Sequence, residues 1–395
     1  MLAKTFGVRS VSRKFREAHP SRVLVLASRR NELSFLTWVR ETPTFASSAT
    51  ARQARINAKN ETIFTAKDSP THVPQFEIRN TQSAIPLSYC RKIIQRNQSR
   101  SNIASAIFVA MNLTLRRGTA EDANACGTIC FEAFRKISEA HNFTPDFPSA
   151  DVAIGLLTWM LAHPGFYSIV AELDGRIVGS NFLDERNSIA GLGPITVDPA
   201  VQNKAIGRRL MEDAHRRVAE KNFPGVRLVQ AAFHSRSLSL YAKLGYDVRE
   251  PLACMQGPAL NATITNYTVH TATEADVGAC NRVCRQVHGH DRAGELLDAI
   301  KQTRATVVEH EDRVTGYATV VGFFGHAVGE TNTELKALIG TAKTFAGPGF
   351  LVPTRNTDLF RWCLQHGLRV TQPMTLMSLG LYNEPAGPFL PSILY

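Results

Sequence analysis

At 395 residues the chain is too long for one small domain, and its 44% apolar content is enough to bury a sizeable core. Its formal net charge of +11 is unevenly placed: residues 1–110 hold 18 Lys and Arg against 6 Asp and Glu, leaving 27 against 28 for the remainder. No apolar run nears the ~18 residues of a membrane-spanning helix. A nucleic-acid-binding arm is disfavoured, because the arginines of the first quarter are scattered and no aromatic platform is interleaved with them.

Residues 1–110 are rich in Arg, Ser, Thr, Asn and Gln, and their apolar runs are short and isolated. Such a composition struggles to offset the entropy of ordering, so a basic, disordered extension is expected. The stretch from Met1 to Arg30 is Arg-rich and almost free of acids, which resembles an organellar transit peptide. Alternatively, Met111 is the native start. The expected location is cytoplasmic, or mitochondrial if the basic segment is a transit peptide.

From Met111 the texture changes. A short strand is predicted over 113–116. Thr119 and Asp122 form a capping-box signal for a helix reaching about His141. A second helix is predicted over 150–162, closed by His163, Pro164 and Gly165. Strands over 166–172 and 176–183 flank a hairpin turn at Asp174-Gly175, and a further strand covers 189–197. The helix over 205–221 carries Ile206, Leu210, Ala214 and Val218 along one face. A strand over 226–233, a helix over 235–244 and strands over 246–249 and 252–256 close the unit. This alternation indicates a mixed sheet flanked by helices.

The pattern then recurs. Thr114, Thr119, Asp122, Cys126 and Cys130 line up with Thr268, Thr273, Asp276, Cys280 and Cys284 at one offset, and Glu172, Arg176 and Gly179 parallel Glu309, Arg313 and Gly316. Leu228-Val229 with Gly245 echoes Leu351-Val352 with Gly367. Two tandem copies of one α/β (α+β) fold are expected, over 111–260 and 261–395, with a linker near 257–267. Cysteines four apart share one helical face. Lacking a Cys-x-x-Cys pair or zinc-finger spacing, they read as buried free thiols, and no metal is expected. The apolar ending from Gly387 to Tyr395 is expected to dock back onto a domain.

The segment from Gly193 to Met211 runs from a strand through a tight loop into an amphipathic helix. Backbone N–H groups at a helix start, together with the helix dipole, favour a pyrophosphate, and small residues let phosphate oxygens approach. Lys204, Arg208 and Arg209 add positive charge nearby. Here the chain resembles the GNAT acetyltransferase superfamily. Val197, Pro199, Gln202, Gly207 and Leu210 match its cofactor-loop signature, while Ala205 stands at the first glycine. A second signature is matched by Ser237, Leu240, Tyr241, Gly245 and Tyr246, with His234 in place of the usual Asn.

The resemblance implies a GNAT fold, a mixed and mostly antiparallel sheet with acetyl-CoA between two splayed strands, and an acceptor amine that attacks the thioester directly. Cofactor contacts are then expected from Ile195, Thr196, Val197, Gln202, Asn203, Lys204, Ala205, Ile206, Gly207, Arg208, His234 and Ser237. Tyr241 becomes the general acid for the departing thiolate. Asp184 and Glu185, at a strand end, are candidates for the base that deprotonates the amine, with Glu185 preferred. His141, His163 and His234 read as loop, cap and packing residues rather than bases. The second copy lacks the anion loop, and Asn356 and Cys363 stand where the first has His234 and Tyr241. It is expected to be degenerate and to cover the acceptor cleft. The function implied is N-acetylation of a small-molecule or amino-acid-like amine, with neither nucleic acid nor membrane as partner. The alternative is a non-catalytic CoA-sensing module.

Overall fold

The computed structural model describes residues 112–394, together with the backbone of four strands in the N-terminal quarter. The chain divides into two compact units, Met1–Asn102 and Ile103–Tyr395. In the first unit, Arg22–Arg29 pairs antiparallel with Glu32–Arg40, and Phe64–Ala66 with Phe76–Ile78. The rest of the expected disordered extension lies outside the described residues.

In the larger unit the first copy comprises β1 (Leu113–Arg117), α1 (Ala123–Ala140), α2 (Ala150–Ala162), β2 (Phe166–Leu173), β3 (Arg176–Asp184), β4 (Ala190–Leu192), β5 (Thr196–Val197), α3 (Ile206–Glu220), β6 (Gly225–Ala231), α4 (Ser235–Lys243) and β7 (Asp247–Gln256). The second repeats the order as β8 (Tyr267–Thr271), α5 (Val277–His288), α6 (Ala293–Lys301), β9 (Thr306–His310), β10 (Arg313–Ala318), β11 (Ala327–Gly329), α7 (Asn332–Thr341), β12 (Phe350–Pro353), α8 (Thr357–Gln365) and β13 (Arg369–Gly380). A short strand, β14 (Phe389–Leu390), follows.

Local chemistry accounts for most boundaries. Asp122 accepts the Thr119 backbone N–H at 2.8 Å, and Asp276 accepts that of Thr273 at 2.7 Å, so the same cap opens α1 and α5. Asp174 and Gly175 both take positive φ, 52° and 77°, the twist that a two-residue hairpin requires. In α3, Ile206, Leu210, Met211 and Ala214 are buried at helical spacing. Cys126 and Cys130 are buried on one face of α1, and all six described cysteines are free. A Cβ at Gly127 would lie 2.4 Å from the Ile154 Cα, so only glycine lets α1 and α2 cross this closely.

Two expected boundaries are corrected. The strand over 189–197 is broken at Gly193 and Pro194 into β4 and β5, where proline offers no N–H to a ladder. The two strands expected over 246–256 are one strand, β7, with a register irregularity between Val248 and Glu250.

The sheets also depart from two self-contained copies. One sheet has the order β12-β7-β13-β6-β4-β3-β2-β1, with β5 against β3, and the other β8-β9-β10-β11-β14. The copies therefore exchange their final strands: β13 lies between β6 and β7, and β7 lies between β13 and β12. The exchange is symmetric. Leu228 faces Met377, and adding 122 to Leu228 and to Met255 gives the pair Phe350 and Met377, while Phe350 faces Met255. Leu252 faces Met374 at the centre of the exchange. Structurally, Leu228 thus corresponds to Phe350, one residue from the echo read in the sequence.

Met374, Leu376 and Met377 of β13 are buried, worth on the order of 5–9 kcal/mol before chain entropy is counted. The repeat boundary near 260 is consequently not a boundary between separate sheets.

Candidate active site

Strands β4 and β6 run parallel, but they pair only at Ala190 with Val226 and Gly191 with Arg227. Beyond that point β5 turns away to pair with β3, through Thr196 to Ser180 and Val197 to Gly179. The edges facing each other separate and open a cleft of about 730 Å³. Leu192 to Val197 line one side, Leu228 to Ala231 the other, and the first turn of α3 is part of its wall.

That turn is built as a donor site. Ala205 is its N-cap and has no side chain able to cap it, and no acidic residue stands in the turn. The N–H groups of Ile206, Gly207 and Arg208 make none of the backbone hydrogen bonds, the first such bond running from the Arg209 N–H to the Ala205 carbonyl. Three donors and the positive end of the helix dipole therefore stay available to an anion. A Cβ at Gly207 would find its nearest neighbours, Val197 Cγ2 and Leu240 Cδ2, at 3.7 and 3.9 Å. Both are ordinary van der Waals distances, so no protein atom crowds this glycine.

The preceding loop is braced. Gln202 donates through Nε2 to the Val197 carbonyl at 3.1 Å, and Arg236 donates to the side-chain oxygens of both Gln202 and Asn203. Asn203 and Ala205 take left-handed backbone conformations, φ 69° and 56°. For Ala205 this is a conformation that glycine adopts freely and alanine does not, so the methyl group leaves strain in the loop. Arg208 lines the cleft and pairs with Glu212 at 2.9 Å.

Of the sequence-predicted cofactor residues, Ile195, Thr196, Val197, Gln202, Asn203, Ala205, Ile206, Gly207, Arg208, His234 and Ser237 all line the cleft. Lys204 does not: it is exposed and absent from the cleft wall. His234 is the N-cap of α4. Burial, with help from Arg236 and His141, lowers its pKa to about 4, so it is neutral near pH 7. Ser237 donates to Gln230 Oε1 at 3.0 Å. Tyr241 lies in the cleft wall on α4, and burial pushes its phenol above the ordinary range. It is protonated at neutral pH, as an ordinary phenol is, and its hydroxyl is a hydrogen-bond donor.

Glu185 is set apart from this arrangement. Its carboxylate is held by the Arg217 guanidinium, at 2.6 Å from Nε and 2.8 Å from Nη2, and it does not line the cleft. Asp184 is paired with Arg186, which also reaches Asp298 of the second copy at 3.0 Å. A base must present a free carboxylate to its substrate, and both of these are turned into ion pairs. Arg186 is only two residues from Asp184, whereas Arg217 comes from 32 residues away and is not visible from the end of a strand in sequence.

The sequence reading missed the far side of the cleft. Asp146, from the loop between α1 and α2, lines it, and so do Phe323, Phe324, Met374, Ile393 and Leu394 from the second copy and its tail. The docking of the apolar ending explains the last two. Leu394 is buried against α1 and α2, and the Ile393 N–H donates to the Phe323 carbonyl at 2.8 Å.

The corresponding place in the second copy holds a smaller opening of about 470 Å³, lined by Asn332, Pro353 and Asn356 and by the tail from Glu384 to Phe389. Helix α7 follows β11 almost directly, and the Glu334 carboxylate accepts the Thr331 N–H at 2.8 Å in a capping box. The chain's own acid thus fills the helix start that is left open in α3. The tail does the rest: β14 pairs with β11, through Leu390 to Ala327 and Phe389 to Val328, and packs against β12. It is wedged into the place where β11 and β12 would splay. Asn356 caps α8 as His234 caps α4, and Cys363 is buried at the position of Tyr241.

Residues 131–246 match the family model described as Acetyltransferase (GNAT) family. Over 139 residues the chain is 25% identical to an uncharacterised N-acetyltransferase, YjgM, of Escherichia coli (strain K12), spanning 34% of this chain and 81% of that protein. Among solved structures, a putative acetyltransferase from Pyrococcus horikoshii is similar over 68% of this chain and 89% of its own, with TM-score 0.52 and 17% identity. The PaiA N-acetyltransferase from Thermoplasma acidophilum, solved with coenzyme A, is similar over 35% of this chain and 92% of its own, with TM-score 0.32 and 19% identity.

Proposed function

We propose that this chain, whose residues 131–246 belong to the GNAT acetyltransferase family, moves an acetyl group from acetyl-CoA to the amine of a small-molecule or amino-acid-like acceptor. The observation that carries the reading is the uncapped first turn of α3 on a cleft between splayed strands, with Tyr241 in the wall of the same cleft. Ile206, Gly207 and Arg208 would hold the pyrophosphate with their N–H groups. The backbone between Leu192 and Thr196, which faces β6 across the cleft without pairing to it, would hold the pantetheine arm.

Acetyl-CoA supplies an activated thioester; the protein supplies orientation and one proton. Holding amine and carbonyl in line removes most of the entropic barrier to direct attack. Tyr241, in the cleft wall and protonated at neutral pH as phenols are, donates to the departing sulfur.

The test is thiol release from acetyl-CoA by the full chain with a panel of amines. Tyr241→Phe is expected to lower kcat by roughly 10²–10⁴-fold with unchanged acetyl-CoA affinity. Tight acetyl-CoA binding without thiol release from any amine would instead identify a CoA-sensing module.

A further inference from the structure

We propose that Asp146 is the carboxylate that binds and deprotonates the acceptor amine, that Gln372 of the second copy positions it, and that the acceptor is a monoamine on an apolar body. The inference rests on the acetyl-transfer reading and adds to it the acceptor's class and the second copy's part in the site.

Asp146 is the acidic residue among the described residues lining the cleft. Its Oδ1 accepts one hydrogen bond, from Gln372 Nε2 at 2.9 Å, and no ion pair reaches it. Gln372 is buried on β13, the exchanged strand, so the repeat places an amide donor against a loop 226 residues away in sequence. The other titratable groups facing the carboxylate are thiols: Cys130 on α1 and Cys254 on β7, both pushed up by burial and further by its charge. Around it the cleft is lined by Phe134, Phe147, Leu156, Phe324, Met374 and Ile393.

A carboxylate in such surroundings, paired with one neutral amide, is short of a counter-charge. Burial accordingly raises its pKa, against the opposing effect of Gln372. An alkylammonium supplies the missing charge, and the aromatic and aliphatic walls suit an apolar body rather than a second charge. A carboxylate with a raised pKa is also the better proton acceptor near neutrality. The cations of the cleft are placed elsewhere: Arg208 and Arg236 are on the loop side, and Lys136 faces Asp198 at that same end.

The step balances as follows. Asp146 takes one proton from the ammonium, and the freed amine nitrogen forms a bond to the thioester carbonyl carbon. The carbon–sulfur bond breaks as Tyr241 gives its proton to the sulfur. The remaining extra proton on the new amide nitrogen returns to the Tyr241 phenolate, and Asp146 loses its proton to solvent.

The test uses the full chain, acetyl-CoA and four probes: 2-phenylethylamine, hexylamine, spermidine and lysine. The first two are expected to show kcat/KM at least ~10-fold above the others. Asp146→Asn is expected to lower kcat/KM for 2-phenylethylamine by roughly 10²–10⁴-fold with acetyl-CoA affinity unchanged, which also shows that the variant is folded. Activity should return in part at high pH, where free amine is abundant. Gln372→Leu is expected to shift the acidic limb of the pH–rate profile upward, because the carboxylate loses its donor, and to lower the plateau rate, because the carboxylate loses the group that orients it. A merely structural glutamine would not move the limb.

As a measurement independent of variants, 2-phenylethylamine should raise the wild-type melting temperature and 2-phenylethanol should not. Unchanged kcat/KM in Asp146→Asn, or equal stabilisation by the alcohol, overturns the role of Asp146. Turnover of spermidine or lysine above the apolar amines overturns the acceptor class. Absence of thiol release with every amine is a different failure, that of the acetyl-transfer reading itself.

Discussion

Ala205→Gly is expected to stabilise the larger unit, although it removes a methyl group. Ala205 sits at the N-cap of α3 with φ 56° and ψ 11°, a left-handed conformation in which Cβ crowds the following carbonyl. That costs a non-glycine residue roughly 1–2 kcal/mol. Glycine relieves the crowding but widens the unfolded ensemble, which returns about 0.4–1 kcal/mol. It is also the better N-cap of the two by several tenths. The net expectation is a gain of about 1 kcal/mol, or roughly 2 °C in Tm for a unit of this size. Thermal and urea unfolding of the full chain without acetyl-CoA would measure it. Ala205→Val is the opposing control, since a branched side chain is more strained at positive φ; it should destabilise by more than the glycine gains. A lower midpoint for Ala205→Gly, or no loss for Ala205→Val, would refute the idea that the loop stores backbone strain.

Titration calorimetry should find one acetyl-CoA per chain and none in Gly207→Glu, whose carboxylate would occupy the donor site of α3. A second site of similar affinity surviving in that variant would show that Glu334 and β14 do not close the second copy. Stability should also depend on pH through its buried imidazoles. His234 and His290 are lowered from 6.5 to about 4, and His288 and His326 are also lowered well below 6.5, burial being the first cause in each. Between those values the unfolded chain binds more protons than the folded one, so this contribution is complete above about pH 6.5 and declines as pH falls toward 4. Urea midpoints that stay level or rise on acidification through that window would contradict it.

Much of this protein is written in local pattern. The caps at Thr119 and Thr273, the turn at Asp174-Gly175 and the apolar stripe of α3 depend on residues a few positions apart, so their elements are legible without a fold. The same holds for the loop into Gly207 and for Tyr241 on α4, because a strand–loop–helix carries its own geometry. The repeat is legible too, since two copies of one pattern need only be compared with each other. What required the tertiary structure is partnership over distance. An apolar strand such as β13 announces that it is buried, but it does not say whether it lies beside its own copy's β12 or, as it does, between β6 and β7 of the other. Glu185 and Asp146 look alike as acids near the ends of elements. One is neutralised by Arg217 from α3, and the other accepts a hydrogen bond from the neutral amide of Gln372 on the exchanged strand. A carboxylate's chemistry is set by the charges and dipoles within a few ångströms, and in this fold those neighbours arrive from segments 32 and 226 residues away.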